Sequence, residues 1–241
     1  MMGSDDLHLR IAAAARDLQD ESDTQHTLDR SVKAAIEVIP HVHYAGVSIA
    51  RRKGAIDTPA FSHELVRRGD ELQYELQEGP CLDAVWHHDT VISPDLMKEE
   101  RWSRWAPRVA AELQVRSVLC LQLFTSADVV GALSLYSKDV DAFDHTHIDI
   151  ATSMAAHIAV AVAGTQTEDQ LRVSVVNRTL IGQAQGIMME RFGLDSQRAF
   201  DVLVRVSQDL NIKVLQVADE LVRTRITPGT SRSTHQPRNS Q

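Results

Sequence analysis

Residues 177–200 read NRTLIGQAQGIMMERFGLDSQRAF and carry a helical pattern with an unusual feature. Apolar side chains recur at helical spacing from just before this stretch and through it, at Val173, Val176, Leu180, Ala184, Ile187, Met188 and Phe192. Gly182 and Gly186 nevertheless lie four residues apart inside the same helix, beside Arg178 and Gln185. Each interior glycine costs about 1 kcal/mol relative to alanine. The pattern therefore predicts a helix face on which close approach of another molecule matters more than helix stability.

Composition is typical of a soluble globular protein, with 241 residues, 43% hydrophobic and 24% charged. Two cysteines, Cys81 and Cys120, argue against a disulfide framework and favour a reducing compartment. The opening MMGSDDLHLR lacks the apolar core of a secretory signal. The most apolar run, residues 148–164, is too short and too polar for a membrane span. We expect a cytoplasmic protein without a membrane partner.

Charge is unevenly distributed along the chain. Residues 171–241 hold ten Lys or Arg and six Asp or Glu, a balance of +4. Because the whole chain carries −8, the remainder carries −12. A basic C-terminal part on an acidic body favours a nucleic-acid partner there, although chance scatter in a short window is an open alternative.

The first part of the chain alternates helical and strand patterns. We predict helices in the first forty residues, after Gly79-Pro80 and over 101–114, and strands over 44–52, 117–125 and 129–137. The last two strands are separated by a three-residue turn and predict a hairpin. This order predicts an α+β domain with an antiparallel sheet and helices on one side, over residues 1–165.

Asp144 is a candidate N-cap for a long helix over about 145–172. We interpret it as a helical connector between two domains. It could dimerise through a seam of Ala155, Ile158 and Val162, or it could be a simple spacer. Three short amphipathic helices then follow in a second domain, residues 166–227, before a basic, disordered tail over 228–241.

Motifs for catalysis and metal binding are weak. GPCLDAV lacks the Gly-Lys-Ser/Thr ending of a phosphate loop, and no cysteine pair has zinc spacing. Three histidine pairs (41/43, 87/88 and 145/147) and three tryptophans (86, 102 and 105) are more typical of surface and core positions. Cys81 is more typical of a buried structural cysteine than of a nucleophile. We expect no enzyme activity, no metal and no cofactor.

The C-terminal helices closely resemble the ANTAR domain, a three-helix RNA-binding module of transcription antitermination regulators. The stretch RTLIGQAQGIMMERFGLDSQRAFDVLVRVSQDLNIKVLQVADELV, residues 178–222, matches the family without a gap. Two departures are Thr179 and Gln185, where serine and lysine are common. Losing the lysine at 185 removes one point charge from the surface.

The upstream part resembles a GAF domain, a small-molecule-sensing α+β fold, in the variant fused to ANTAR in actinobacteria. The residues that carry the resemblance are ELQEGPCLDAV (75–85), DLMKEERW (95–102) and QVRSVLCLQLF (114–124). GAF ligands are so diverse that the resemblance names none.

Together the resemblances imply a signal-responsive antitermination regulator. A GAF signal would act through the connector on a dimer that captures two RNA stem-loops, in place of a terminator hairpin. Arginine can pair with phosphate and stack on unpaired bases, while glutamine can read base edges. The expected RNA-contacting residues are Arg178, Gln185, Arg191, Arg205 and Lys213, with Gly182 and Gly186 forming the close-approach face.

Two other functions are consistent with the same helices. The second and third, over about 196–209 and 213–223, could form a helix-turn-helix that binds DNA. Against this, KVLQVADELV offers only Lys213 and Gln216 at its start and then becomes acidic. A bundle that binds only another protein would show no salt-dependent nucleic-acid affinity.

Overall fold

The computed structural model describes residues 4–51, 54–87, 90–126 and 128–228. The chain divides into two compact units, residues 1–169 and 170–241. Apart from Pro228, the tail predicted over 228–241 lies outside the described residues.

The first unit contains five helices, five strands and the start of a sixth helix. The helices are α1 (Ser4–Gln19), α2 (Thr24–Val38), α3 (Glu64–Leu76), α4 (Pro80–Trp86) and α5 (Trp105–Leu113). The strands are β1 (Tyr44–Ala50), β2 (Ile56–Phe61), β3 (Thr90–Ser93), β4 (Ser117–Phe124) and β5 (Val129–Ser137).

All five strands form one antiparallel sheet in the order β2-β1-β5-β4-β3. The predicted hairpin is confirmed, since β4 pairs with β5 and places Leu119 opposite Leu135. The sheet confirms an α+β fold with helices flanking antiparallel strands.

The expectation of helices on one side of the sheet is wrong. One hydrophobic cluster joins α1, α2 and the sixth helix to one face, where Leu119, Leu121 and Leu133 point. A second cluster joins α3, α4 and α5 to the opposite face, around Trp105 and Tyr136. A sheet covered on both faces needs apolar residues at successive positions, and the central five residues of β1 are all buried.

The sixth helix, α6, is one continuous element from His145 to Phe192. It begins in the first unit, where the Asp144 carboxylate accepts the His147 N–H at 3.0 Å as predicted for an N-cap. The prediction that this helix ends near 172 and a new one begins is wrong. No proline interrupts 145–192, and isolated glycines are tolerated within a helix at a modest cost.

The predicted dimer seam is also wrong. Ala155, Ile158 and Val162 are almost fully buried in the core of the first unit, so they cannot face a second copy.

Among the described helices, α6 is the one long and apolar enough to cross a membrane by length and composition. Half of its most apolar window is buried inside the structure, as in the core helix of a soluble protein.

The second unit completes α6 and adds two amphipathic helices, α7 (Ser196–Leu210) and α8 (Val214–Thr224). Gly193 has a φ of 63° just beyond α6, and the Asp195 carboxylate caps α7 by accepting the Arg198 N–H at 2.8 Å. The buried core is small: Ala184, Met188, Ala199, Leu203, Val217, Ala218 and Leu221. The helical spacing predicts inward positions for six of these side chains: Ala184, Met188, Ala199, Leu203, Ala218 and Leu221. The same spacing in α6 also includes Val173, Val176 and Phe192, and for these the prediction is wrong, because they are 58%, 59% and 54% exposed.

Candidate nucleic-acid interface

The glycine face of α6 is open. A Cβ added to Gly182 or Gly186 would meet no other atom within 4 Å. Ala184 and Met188 point in the opposite direction, into the core of the bundle. The two glycines therefore expose helix backbone to solvent, and a partner could approach it more closely than at a face covered by side chains.

Arg178 and Gln185 lie on the same side of α6 as this face. Arg178 is exposed and forms no ion pair or hydrogen bond among the described side chains. The Gln185 side chain is half-buried, and its Nε2 donates to the Ser196 carbonyl at 3.1 Å and lies 3.4 Å from the Ser196 hydroxyl. The amide is thus held against the start of α7, which orients it.

Arg191 faces a different part of the bundle. Its guanidinium donates to the carbonyl of Arg225 at 2.8 Å, at the end of α8. Arg225 has a φ of 60° as the C-cap residue of α8. Sequence reasoning missed Arg225, because the contact spans 34 positions and depends on how α8 packs against α6.

The other two predicted residues lie on separate elements. Arg205 is exposed on α7, and Lys213 is the residue before α8, with its backbone N–H donating to the Gln216 side chain at 3.1 Å. Arg178 and Gln185 are close in rotation on α6, Arg191 is anchored at the end of α8, Arg205 lies on α7, and Lys213 precedes the first residue of α8.

Cations of the second unit are mostly unpaired. Of the eight Arg and Lys side chains in residues 170–228, only Arg198 forms an ion pair, with Asp195 at 3.5 Å. The other seven form none among the described residues: Arg172, Arg178, Arg191, Arg205, Lys213, Arg223 and Arg225. Unpaired exposed cations attract phosphate without first having to break an internal ion pair.

The first unit buries a carboxylate in a polar network. Asp70 of α3 accepts hydrogen bonds from Thr58 at 2.8 Å, Gln73 at 2.9 Å and Tyr136 at 3.1 Å, with Ser48 at 3.3 Å. Burial raises the pKa of Asp70 to about 6, against the lowering effect of these donors. The space between the sheet and α3 is thus filled by a satisfied network.

Both cysteines are buried in the same region. Burial raises the pKa of the Cys81 thiol to about 12, and it raises the pKa of Cys120 as well. Both side chains are thiols at neutral pH, which makes them poor nucleophiles. In the described parts of the chain, no three His, Cys, Asp or Glu side chains are grouped so that they could hold a metal ion.

A pocket of about 390 Å³ lies between β4 and α6 in the first unit. Its walls are largely apolar, with Leu121, Phe124 and Val160 among them. Hydroxyl groups of Thr90 and Thr152 also line it. The size and lining are those of a site for a small organic molecule.

Comparison with family models divides the chain in two. A GAF domain model matches residues 21–163, more than half of the chain, and an ANTAR domain model matches residues 169–222. Comparison with curated proteins gives no match.

Solved structures are similar in fold at low sequence identity. The free methionine-R-sulfoxide reductase of Neisseria meningitidis is 17% identical over 70% of this chain and 96% of that chain, with a TM-score of 0.55. The GAF domain of a phosphoenolpyruvate-protein phosphotransferase from Coxiella burnetii is 13% identical over 68% of this chain and 96% of that chain, with a TM-score of 0.54. At these identities the likeness shows the fold alone.

GAF and ANTAR are regulatory domains, and the ANTAR domain is an RNA-binding module. The antiparallel sheet with helices on both faces, followed by a small helical bundle, agrees with that order of domains. The chain belongs to the family of GAF–ANTAR regulators.

Proposed function

We propose that this chain is a signal-responsive, RNA-binding regulator of transcription antitermination. The observation that carries the proposal is the set of seven cations without an ion pair among the 59 described residues of the second unit, in a domain that also exposes helix backbone at Gly182 and Gly186. Phosphate contacts supply most of the affinity of such interfaces. The ANTAR match makes RNA the nucleic acid that fits best.

The bound RNA is a pair of stem-loops in a transcript leader, held so that a terminator hairpin cannot form. Arg178 contacts phosphate at the glycine face of α6, and Gln185 reads a base edge beside it. Arg191, Arg205 and Lys213 contact the RNA backbone; all three are exposed and none forms an ion pair among the described residues.

The active species is a homodimer, formed through a segment of α6 other than the predicted seam. Leu171, Val173, Val175 and Val176 are 61%, 58%, 63% and 59% exposed. At 100° per residue, these side chains lie on opposite sides of the helix. A helix that is apolar on several sides is normally covered, so a second copy would bury these residues.

The signal is a small molecule received by the GAF domain. The pocket between β4 and α6 supports this, because Ala155, Ala156 and Val160 of α6 form part of its wall. A ligand there contacts the same helix that carries Arg178 and Gln185. Coupling of about 1–3 kcal/mol would suffice to change RNA affinity 5- to 150-fold.

The protein acts in the cytoplasm, where leader transcripts are made, and it acts by binding and not by catalysis. The buried thiols of Cys81 and Cys120, with their raised pKa values, support a structural role for both.

The test is binding of the full chain to a dual stem-loop RNA at several salt concentrations, with duplex DNA alongside. We expect RNA affinity that falls as salt rises, and a weaker, less salt-dependent interaction for Arg178→Ala. Arg51→Ala is the matched control, since Arg51 pairs with Asp57 at 2.8 Å in the first unit. Equal binding of all three proteins would contradict the assignment of Arg178.

Preferential binding to duplex DNA would favour the helix-turn-helix alternative, with α8 as the recognition helix. The Gln216 side chain accepts the Lys213 N–H at the start of α8, and Asp219 and Glu220 are exposed further along it. Two exposed carboxylates on the helix that would enter the major groove are repelled by the DNA phosphates, which disfavours this alternative.

A further inference from the structure

A groove of about 650 Å³ lies between the C-terminal part of α6 and the end of α8. Its lining residues are Gln183, Gly186, Ile187, Glu190, Arg191, Val222 and Arg225. The sequence predicted roles for Gly186 and Arg191 but none for Gln183, Glu190 or Arg225. Five of these residues share one face of α6 at helical spacing, and the packing of α8 adds Val222 and Arg225 to them.

One wall of the groove is cationic and partly fixed. The Arg191 guanidinium donates to the Arg225 carbonyl at 2.8 Å. The Arg225 N–H in turn donates to the Leu221 carbonyl at 2.9 Å, which holds that residue at the end of α8. Neither guanidinium forms an ion pair among the described residues, so both retain N–H donors for a ligand.

The rest of the groove combines an apolar floor with unused polar groups. Ile187 and Val222 are half-buried and pack against the core of the bundle. The side chains of Glu190 and Gln183 form no hydrogen bond or ion pair in the described part of the chain. Gly186 contributes no side chain, and a Cβ placed there would meet nothing within 4 Å.

These features fit a planar heterocycle better than a phosphate. A guanidinium stacks on an unpaired base and an apolar floor supports its face. A carboxylate repels phosphate, but it accepts a hydrogen bond from the exocyclic amino group of a base, as glutamate does with the cytosine amino group in protein–DNA interfaces. An exposed glutamate between two arginines, paired with neither, is thus available to read an amino edge.

We infer that this groove receives one unpaired, amino-bearing base of the bound RNA. Glu190 accepts the amino N–H, Gln183 contacts the same edge, and Arg191 and Arg225 hold the base and its adjoining phosphate. The inference rests on the proposed function and assigns to it three residues that determine specificity: Glu190, Gln183 and Arg225.

In the first step of the test, the full chain is used to select RNA stem-loops from a pool in which the loop sequence is randomised. Each loop base of a selected RNA is then replaced, one at a time, by an abasic unit or by its analogue without the amino group. We expect one loop position at which either change weakens binding about tenfold. Glu190→Ala, which removes the acceptor oxygens, should bind the parent RNA more weakly and lose no further affinity with the analogue. Glu220→Ala, a change at an exposed carboxylate of α8 outside the groove, should keep the full tenfold effect.

A second variant tests the groove by filling it. Gly186→Leu places a side chain where the structure has open space, so it should fold normally while weakening RNA binding about tenfold or more. Gly164→Leu is the matched control, because Gly164 also lies in α6, also has nothing within 4 Å of an added Cβ, and does not line the groove.

The outcomes separate this inference from the proposed function. RNA binding that tolerates every abasic and amino-free loop position, or that responds alike to Glu190→Ala and Glu220→Ala, would overturn the base site and leave RNA binding standing. Selection of no RNA by the unmodified chain would overturn both.

Discussion

The two units of this protein differ in the share of their Arg and Lys side chains that form ion pairs. In the first unit, at least nine of the thirteen described Arg and Lys side chains form ion pairs; they are Arg30, Lys33, Arg51, Arg67, Arg68, Lys98, Arg101, Arg104 and Arg116. In the second unit, one of eight does so among residues 170–228. Net charge alone therefore understates the difference, because pairing decides which cations remain available to a partner.

Pairing also changes the acids of the first unit. Arg101 lies 2.7 Å from Glu99, and this hydrogen-bonded ion pair lowers the pKa of Glu99 to about 2. The Arg116 guanidinium lies 2.9 Å from the Asp95 carboxylate and likewise holds the pKa of Asp95 below its usual value. Most cations of the first unit are thus already paired with its own acids, while most cations of the second unit have no such pair among the described residues and remain available to an external anion.

The largest expected effect concerns the stability of the second unit, which has only seven fully buried core residues. Leu203→Ala should destabilise this unit by about 2–5 kcal/mol, because the leucine is fully buried at its centre. Hydrogen exchange should show protection lost in α7 and α8 and retained in β4 and β5. Leu210→Ala, at a position 41% exposed on the same helix, is the control. Equal loss of protection in both units would show that they do not unfold separately.

The next effect concerns pH and belongs to the first unit. The pKa of Asp70 is raised from 3.8 to about 6, so its protonated form favours folding. Its contribution is complete below pH 3.8 and is lost as pH rises through about 6, by up to about 3 kcal/mol. Asp70→Asn should flatten this part of the stability profile in urea unfolding between pH 4 and 8. An unchanged profile would mean that another group causes it. Asp209→Asn, an exposed carboxylate in the second unit, should leave the profile as it is.

A matched pair on α7 tests whether ion pairing decides which cations bind RNA. Arg205 is unpaired, whereas Arg198 lies 3.5 Å from Asp195. Arg205→Ala should reduce the slope of log affinity against log salt by about one, the value for one lost phosphate contact. Arg198→Ala should change the slope less, since its charge is already partly neutralised. The reverse order would show that position on the helix, and not pairing, selects the contacts.

The smallest effect is expected for a surface ion pair of the first unit. Arg51 contacts Asp57 at 2.8 Å, and both side chains are about half exposed. Arg51→Ala should lower the free energy of unfolding by less than about 1 kcal/mol, measured by urea unfolding. A larger loss would indicate that the first unit depends on its ion pairs for stability as well as for neutralisation.

Three elements of the first unit were not predicted from the sequence, each for an identifiable reason. β2 contains Pro59, which argues against a strand but is tolerated here because β2 is at the sheet edge. α3 buries Gly69, Asp70 and Gln73 beside Val66 and Leu72, so its inward face does not read as an apolar series in the sequence. β3 has only four residues, too few for a periodic signal.

The sequence by itself determined the features that depend on neighbours along the chain. Helical spacing predicts most of the buried positions of α7 and α8, an apolar run with a short turn predicts the β4–β5 hairpin, and the sequence offers Asp144 as the cap of α6 and either Asp195 or Ser196 as the cap of α7. Such signals act within a few residues, so they can be read without the tertiary structure. The glycine face of α6 is likewise visible in the sequence, because Gly182 and Gly186 lie four residues apart in one helix.

Only the tertiary structure decided what each apolar or charged face meets. Ala155, Ile158 and Val162 have the spacing of a dimer seam, yet they pack inside the first unit. Arg191 looks like any exposed arginine until α8 brings the Arg225 carbonyl within 2.8 Å of it. Periodicity reports that a helix face is covered but carries no information about the partner, because that depends on contacts between residues far apart in the chain.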